Sequence, residues 1–118
     1  MAEITIWHNP RCSKSRQTLA LIRDAGFEPT VFEYLRTPPT VAQIEDALGK
    51  LGIGARELIR EKEAPYAELG LDDDTSNQDT LIAAMADHPI LIERPIVFRG
   101  DRAIVGRPPE RVITLLDD

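Results

Sequence analysis

The chain is predicted to fold as an α/β protein: a four-stranded mixed sheet flanked by helices, with a helical insertion between its βαβ and ββα halves. Two observations carry that reading. Near the N-terminus, two β-prone runs are separated by one helix-length stretch, the pattern of a parallel βαβ unit. Near the C-terminus, two further β-prone runs flank a Gly-Asp turn and lead into a last helix, the pattern of a hairpin with a covering helix.

Ile4-Thr5-Ile6-Trp7 alternates as a half-buried strand does. The polar loop His8-Asn9-Pro10-Arg11-Cys12 follows, then a helix from about Ser13 to Ala25 that Gly26 stops. Thr30 to Tyr34, with Val31, Phe32 and Tyr34 favouring extended backbone, makes the second strand. Thr37-Pro38-Pro39 breaks the chain, and Thr40 with Gln43 has the capping-box spacing that opens a second helix. Its Val41, Ile44, Leu48 and Leu51 form one apolar stripe, ended by Gly52 and Gly54. A short helix is expected over Ala55 to about Glu61. After a solvated turn at Asp72-Asp73-Asp74, another helix runs from Ser76 to about Asp87, with Leu81, Ile82 and Met85 inward and His88-Pro89 closing it.

Ile96-Val97-Phe98 and Ala103-Ile104-Val105 form the hairpin around Arg99-Gly100-Asp101-Arg102. Pro108-Pro109 opens the final helix, with Val112, Ile113, Leu115 and Leu116 expected inward. No repeat, linker or low-complexity segment interrupts the order, so residues 1–118 are expected to form a single domain. Two parallel strands and a hairpin sharing one sheet with helices on both faces is the thioredoxin-like arrangement.

Composition narrows the function. The 118 residues hold 14 Lys and Arg against 20 Asp and Glu, a net charge of −6, which argues against a nucleic-acid partner whose phosphates need neutralising. A hydrophobic fraction of 42% with 29% charged residues is that of an ordinary globular chain. One cysteine excludes an internal disulfide and a cysteine-rich metal centre, and no metal site is expected. The N-terminal residues lack a signal peptide's basic and apolar segments, and no run is long enough to span a membrane. A cytoplasmic protein without a membrane partner is the expectation.

That cysteine, Cys12, falls between a strand and a helix start, where unpaired N–H groups and the helix dipole favour a thiolate. His8 and Arg11 lie close by in the loop. Cys12 and Ser15 form a C-x-x-S pair, in which Ser15 either caps the helix or donates a hydrogen bond to the sulfur. A phosphatase cradle of the C-x5-R type fails, because Thr18 stands where the arginine is needed and Arg16 arrives too early. Three arginines have unusual settings: Arg60 at the end of a short helix, Arg94 before Pro95 and the hairpin, and Arg107 between Gly106 and Pro108-Pro109. Arg94-Pro95 precedes a strand where thioredoxin-like folds carry a cis proline beside the active cysteine, which would turn Arg94 toward Cys12.

The sequence resembles the glutaredoxin-dependent arsenate reductase family, the ArsC/Spx-like branch of the thioredoxin superfamily. The resemblance spans essentially the whole chain. It is carried by Ile4-Thr5-Ile6-Trp7-His8-Asn9-Pro10-Arg11-Cys12-Ser13-Lys14-Ser15-Arg16, Tyr34-Leu35-Arg36-Thr37-Pro38-Pro39-Thr40, Leu58-Ile59-Arg60, Pro65-Tyr66-Ala67-Glu68-Leu69-Gly70-Leu71 and His88-Pro89-Ile90-Leu91-Ile92-Glu93-Arg94-Pro95-Ile96. It implies that Cys12 is the nucleophile on arsenate, that Arg60, Arg94 and Arg107 hold the oxyanion, and that His8 and Ser15 tune the thiolate. Longer members continue past the final helix in a C-terminal tail, whereas this chain stops at Asp117-Asp118 and looks like the short subfamily.

The charges support grouping these residues. A thiolate about 4 Å from an arsenate dianion is repelled by about 8 kcal/mol at an effective dielectric of about 20, so convergent guanidinium groups are needed to make the encounter attractive. With no second cysteine in the chain, the resemblance implies glutathione as electron donor and glutaredoxin as partner, with no bound cofactor. Two alternatives stand beside arsenate reduction: a glutathione-dependent thiol oxidoreductase, for which Cys12 and Ser15 would suffice, and an Spx-like RNA polymerase-binding regulator. The arginine trio argues against the regulator, which has no use for an oxyanion site.

Overall fold

The computed structural model describes residues 3–72 and 77–116. It divides into two compact units, one combining the chain up to Thr37 with the chain from Arg94 onward, the other spanning Pro38–Glu93.

In the first unit β1 (Ile4–Trp7), β2 (Thr30–Phe32), β3 (Ile96–Arg99) and β4 (Arg102–Val105) form one sheet in the order β2-β1-β3-β4. β1 runs parallel to β2, with Ile6 opposite Val31, because the 12-residue helix α1 (Ser13–Asp24) returns the chain to the starting edge. β3 is antiparallel to both neighbours: Val97 faces Ile6 on one side and Ile104 on the other. Gly100, at φ +62°, takes the left-handed conformation that the β3–β4 turn requires. The mixed thioredoxin-like sheet expected from the sequence is therefore present. β2 is shorter than expected, because Glu33 O accepts the N–H groups of Arg36 and Thr37 and folds Tyr34 into a turn.

Alternation along β1 and β3 sends Ile4, Ile6 and Val97 to one face, where they meet Ile22 of α1 and Val112 and Leu115 of α6 (Val112–Leu116). Each such side chain contributes about 1.5–3 kcal/mol of transfer free energy when fully buried. Ile113, expected inward, is 45% exposed. It sits about 100° around the helix from Val112, and so short a helix turns inward only the stripe of Val112, Leu115 and the partly buried Leu116. The end of α6 is held by cations: Arg99 Nη1 donates to Leu115 O and Leu116 O at 3.1 Å each, and Arg102 Nη2 to Leu115 O at 3.2 Å. From the other sheet face, the Trp7 ring packs 5.8 Å from Phe32 and 5.2 Å from Phe98.

The second unit is helical, with α2 (Val41–Leu51), α3 (Ala55–Leu58), α4 (Ala64–Glu68) and α5 (Gln78–Asp87). Thr40 and Gln43 form the expected capping box, and Gly52 closes α2 at φ +70°. The buried stripe is Ile44, Ala47 and Leu48, while Val41, on the first turn, is 45% exposed. α3 ends at Leu58, short of Glu61, because Ile59 turns extended and pairs with Ile92 in an antiparallel bridge. The sequence reading assigned no helix to α4. Its Pro65 lies in the first turn, where a missing N–H costs nothing, and Arg56 Nη1 ties it down by donating to Tyr66 Oη and Leu71 O at 2.8 Å each. α5 begins after Asn77, whose side chain accepts the Thr80 N–H; the expected start at Ser76 and the turn residues Asp73 and Asp74 lie outside the described residues. Among the described residues no helix is long and apolar enough to cross a membrane.

Thr40→Ala removes one half of the capping box and is expected to cost about 0.5–2 kcal/mol, with Thr40→Ser recovering most of it. Urea denaturation of the three proteins measures this; equal midpoints would show that the box adds nothing to stability.

Candidate active site

The turn between β1 and α1 is held by its own polar groups. His8 N donates to Phe32 O at 2.9 Å, extending the parallel ladder one residue past β1 and carrying the imidazole into the interior. Asn9 then serves three bonds. Its Oδ1 accepts the Arg11 N–H at 3.0 Å, its O accepts the Cys12 N–H at 3.0 Å, and its N–H donates to Ser15 Oγ at 3.0 Å. Arg16 Nη1 donates to Pro10 O at 2.9 Å, and Arg16 N to Cys12 O at 3.0 Å, the first bond of the helix. Cys12 is thereby the N-cap residue of α1, in extended conformation and 9% exposed.

Ser15 Oγ is fully buried and lies 2.6 Å from His8 Nδ1. Burial lowers the His8 pKa, reinforced by the cations Arg23 and Arg16 and opposed by Glu33, so the ring is neutral at pH 7. Ser15 Oγ accepts the Asn9 N–H and shares a second hydrogen bond with His8 Nδ1. The Ser15 hydroxyl is engaged in bracing the turn that carries Cys12.

Arg94 and Arg107 meet in the same unit as Cys12. Both precede cis prolines, Pro95 and Pro108. Arg107 Nη1 lies 3.5 Å from Arg94 O, and Gly106 N donates to Pro95 O at 2.9 Å. Arg94 withdraws its Nε and Nη1 from solvent, while Arg107 is exposed. This pair of loops is clamped to α1 at Thr18, about 9 Å along the helix from Cys12. Thr18 Oγ1 donates to Lys14 O at 2.8 Å and stands 3.5 Å from Gly106 O. A Cβ on Gly106 would lie 2.7 Å from Thr18 Oγ1 and 3.0 Å from Pro95 Cγ, so only glycine allows that approach. Arg60 lies in the second unit, where its Nη1 is 2.6 Å from Glu63 and its Nε 3.7 Å from Glu93.

Asn9, Thr18, Gly106, Glu63 and Glu93 were not singled out from the sequence. Asn-Pro is a turn signal and could have marked Asn9. Thr18 and Gly106 are 88 residues apart, and nothing local announces their contact. Among the described residues no group of three or more His, Cys, Asp or Glu could hold a metal ion.

Two outcomes follow from this geometry. Because His8 titrates below its unfolded value, the unfolded chain takes up a proton that the folded chain resists. Stability is therefore full above about pH 6.5 and falls as the pH drops from there toward the folded pKa. His8→Asn, whose side-chain amide can pair with Ser15 Oγ, should flatten that slope in urea titrations between about pH 6.5 and 5.5; an unchanged slope would remove His8 as its source. Separately, Gly106→Ala should cost about 1–3 kcal/mol through its clash with Thr18, and Thr18→Ala in the same chain should relieve part of it. Strictly additive losses would show that the two do not press on one another.

Comparison with known proteins accords with this fold. A model of the ArsC family matches residues 7–115. The chain is 49% identical over 115 residues to the arsenate reductase of Rhizobium meliloti (strain 1021), covering 98% of this chain and 82% of that protein. It is 48% identical over 117 residues to the arsenate reductase of Neisseria meningitidis serogroup A, covering 98% of this chain and 100% of that protein. Among solved structures, arsenate reductase from Vibrio cholerae matches with a TM-score of 0.93 at 47% identity, over 96% of this chain and 97% of that one. With a family model reaching across both units and relatives this similar along their length, the chain belongs to the ArsC family.

Proposed function

We propose that the chain reduces arsenate to arsenite, with Cys12 as nucleophile. One observation carries this reading: the braced N-cap seat of Cys12 shares a unit with Arg94 and Arg107, in a chain 48% identical to an arsenate reductase that it covers along its full length.

In the first step the Cys12 thiolate bonds to As(V) and displaces hydroxide, which leaves as water after taking a proton; arsenic keeps its oxidation state. Two like-charged reactants must be brought together, and Arg94 and Arg107 supply the opposing charge through paired N–H donors. The orphan N–H groups at the start of α1 favour the same negative charge.

Reduction then needs two electrons. Glutathione thiolate attacks Cys12 Sγ, the Sγ–As bond breaks with its electron pair remaining on arsenic, and As(III) departs as arsenite. Cys12 is left in a mixed disulfide with glutathione, from which a glutaredoxin thiolate removes the glutathionyl sulfur. Overall, one arsenate and two thiols give arsenite, one disulfide and water. Both thiols come from outside because Cys12 is the only cysteine of the 118-residue chain. No bound cofactor enters the cycle, which is placed in the cytoplasm, where glutathione is kept reduced. His8 and Ser15 act as positioning residues that hold the turn presenting Sγ. By family resemblance Arg60 is also an oxyanion-binding residue; in the second unit its guanidinium is held by Glu63 and Glu93.

The test is arsenate-dependent NADPH oxidation coupled through glutathione, glutaredoxin and glutathione reductase. Wild type is expected to turn over, Cys12→Ser to be blank, and Arg94→Ala and Arg107→Ala to lose about 10- to 100-fold in kcat/KM, the size of a lost charge-assisted hydrogen bond. A wild-type rate no higher than that of Cys12→Ser would sink the proposal. An undiminished rate without glutaredoxin would remove glutaredoxin from the cycle.

A further inference from the structure

A cavity of about 350 Å³ opens beside the turn that seats Cys12, entirely within the first unit. The stretch Asn9-Pro10-Arg11 lines it, the same stretch whose Asn9 O takes the Cys12 N–H at 3.0 Å. Glu33, Leu35 and Arg36 line it from the turn that follows β2. The volume falls at the low end of the roughly 300–1,000 Å³ of small-molecule pockets.

The lining is chemically mixed. Arg11 and Arg36 are exposed guanidinium groups and Glu33 is a carboxylate, while Leu35, 40% exposed, and Pro10 are apolar. This is not the lining of an inorganic oxyanion site, in which the Glu33 carboxylate would repel the ligand and the Leu35 surface would have no role. Two cations, one anion and an apolar wall match a small zwitterion that carries two carboxylates, one ammonium and a short aliphatic stretch. The local charge of the wall is positive on a chain whose net charge is −6.

We propose that this cavity binds the external thiol as a γ-glutamyl tripeptide of the glutathione class, with Arg11 and Arg36 taking its two carboxylates and Glu33 its ammonium. The assignment rests on the thiol-dependent reading above and deepens it by naming the residues that select the thiol. The stretch Asn9-Pro10-Arg11 that lines the cavity leads in the chain directly into Cys12. Small monothiols without carboxylates lack the three ionic contacts and gain nothing from the pocket.

The test uses the wild-type chain and S-methylglutathione, which keeps all three charges and cannot react with Cys12. Titration followed by ¹H–¹⁵N NMR should move the amides of Asn9, Arg11, Leu35 and Arg36. Arg11→Ala and Arg36→Ala should each weaken binding about three- to fivefold, the size of a partly exposed ion pair. Glu33→Gln should weaken S-methylglutathione by a similar factor yet leave its N-acetyl derivative, which has no ammonium, unaffected. Shifts confined to another surface, or affinities unchanged within twofold in all three variants, would overturn the assignment. Titration and the arsenate assay separate the two readings. Arsenate-dependent turnover together with unchanged titrations rejects the pocket alone, whereas charge-dependent binding with no arsenate turnover supports the pocket and rejects arsenate as substrate.

Discussion

The seat of Cys12 depends on Ser15 Oγ, a buried hydroxyl that takes the Asn9 N–H at 3.0 Å and stands 2.6 Å from His8 Nδ1. Through these two bonds the first turn of α1 is joined to the loop before it and to the residue that extends β1. The geometry is costly to disturb: losing the hydroxyl would strand an Asn9 N–H and an imidazole nitrogen away from water, at about 1–3 kcal/mol for each unsatisfied group. The same arrangement uses the polar groups of the turn internally. Asn9 serves Arg11, Cys12 and Ser15, and Arg16 reaches back to Pro10. The sulfur is therefore carried on a turn whose polar groups are bonded to one another.

The second constraint is steric. Gly106 lets the segment bearing Arg107 lie against Thr18 and Pro95, and Arg107 Nη1 in turn reaches the carbonyl of Arg94. Two arginines separated by 13 positions are thus brought together with the helix that begins at Cys12. A chain of net charge −6 can in this way hold a locally cationic site. In the other unit the Arg60 guanidinium is matched by two carboxylates, Glu63 and Glu93.

Much of this was legible in local patterns. The hairpin followed from β-prone runs around Gly100-Asp101, the start of α2 from the Thr40/Gln43 spacing, and the start of α1 from the break between Trp7 and Ser13. The errors are equally informative. Tyr34 has a strand-former's side chain, yet the Glu33 carbonyl draws the chain into a turn. Ile59 continues the propensity of α3, yet Ile92 captures it in a bridge. At Ile59 a partner outside the local window prevailed over intrinsic preference, whereas at Tyr34 a local turn, closed over three and four residues, prevailed over strand propensity.

What the amino-acid order determined by itself lay among neighbours within about four residues: the capping box of α2, turn glycines, the alternation of β1 and β3, and the placing of Cys12 at a helix start. The tertiary structure alone decided which distant groups complete them. Gln78 Oε1 accepts the Ala55 N–H at the start of α3, Arg99 and Arg102 hold the end of α6, Thr18 meets Gly106, and Glu33 faces the same cavity as Arg11. The physical reason is that a backbone hydrogen bond or a side-chain period is dictated by bonded geometry. A bond across many residues exists only once burial has brought its two ends together, and the sequence carries no local mark of that meeting.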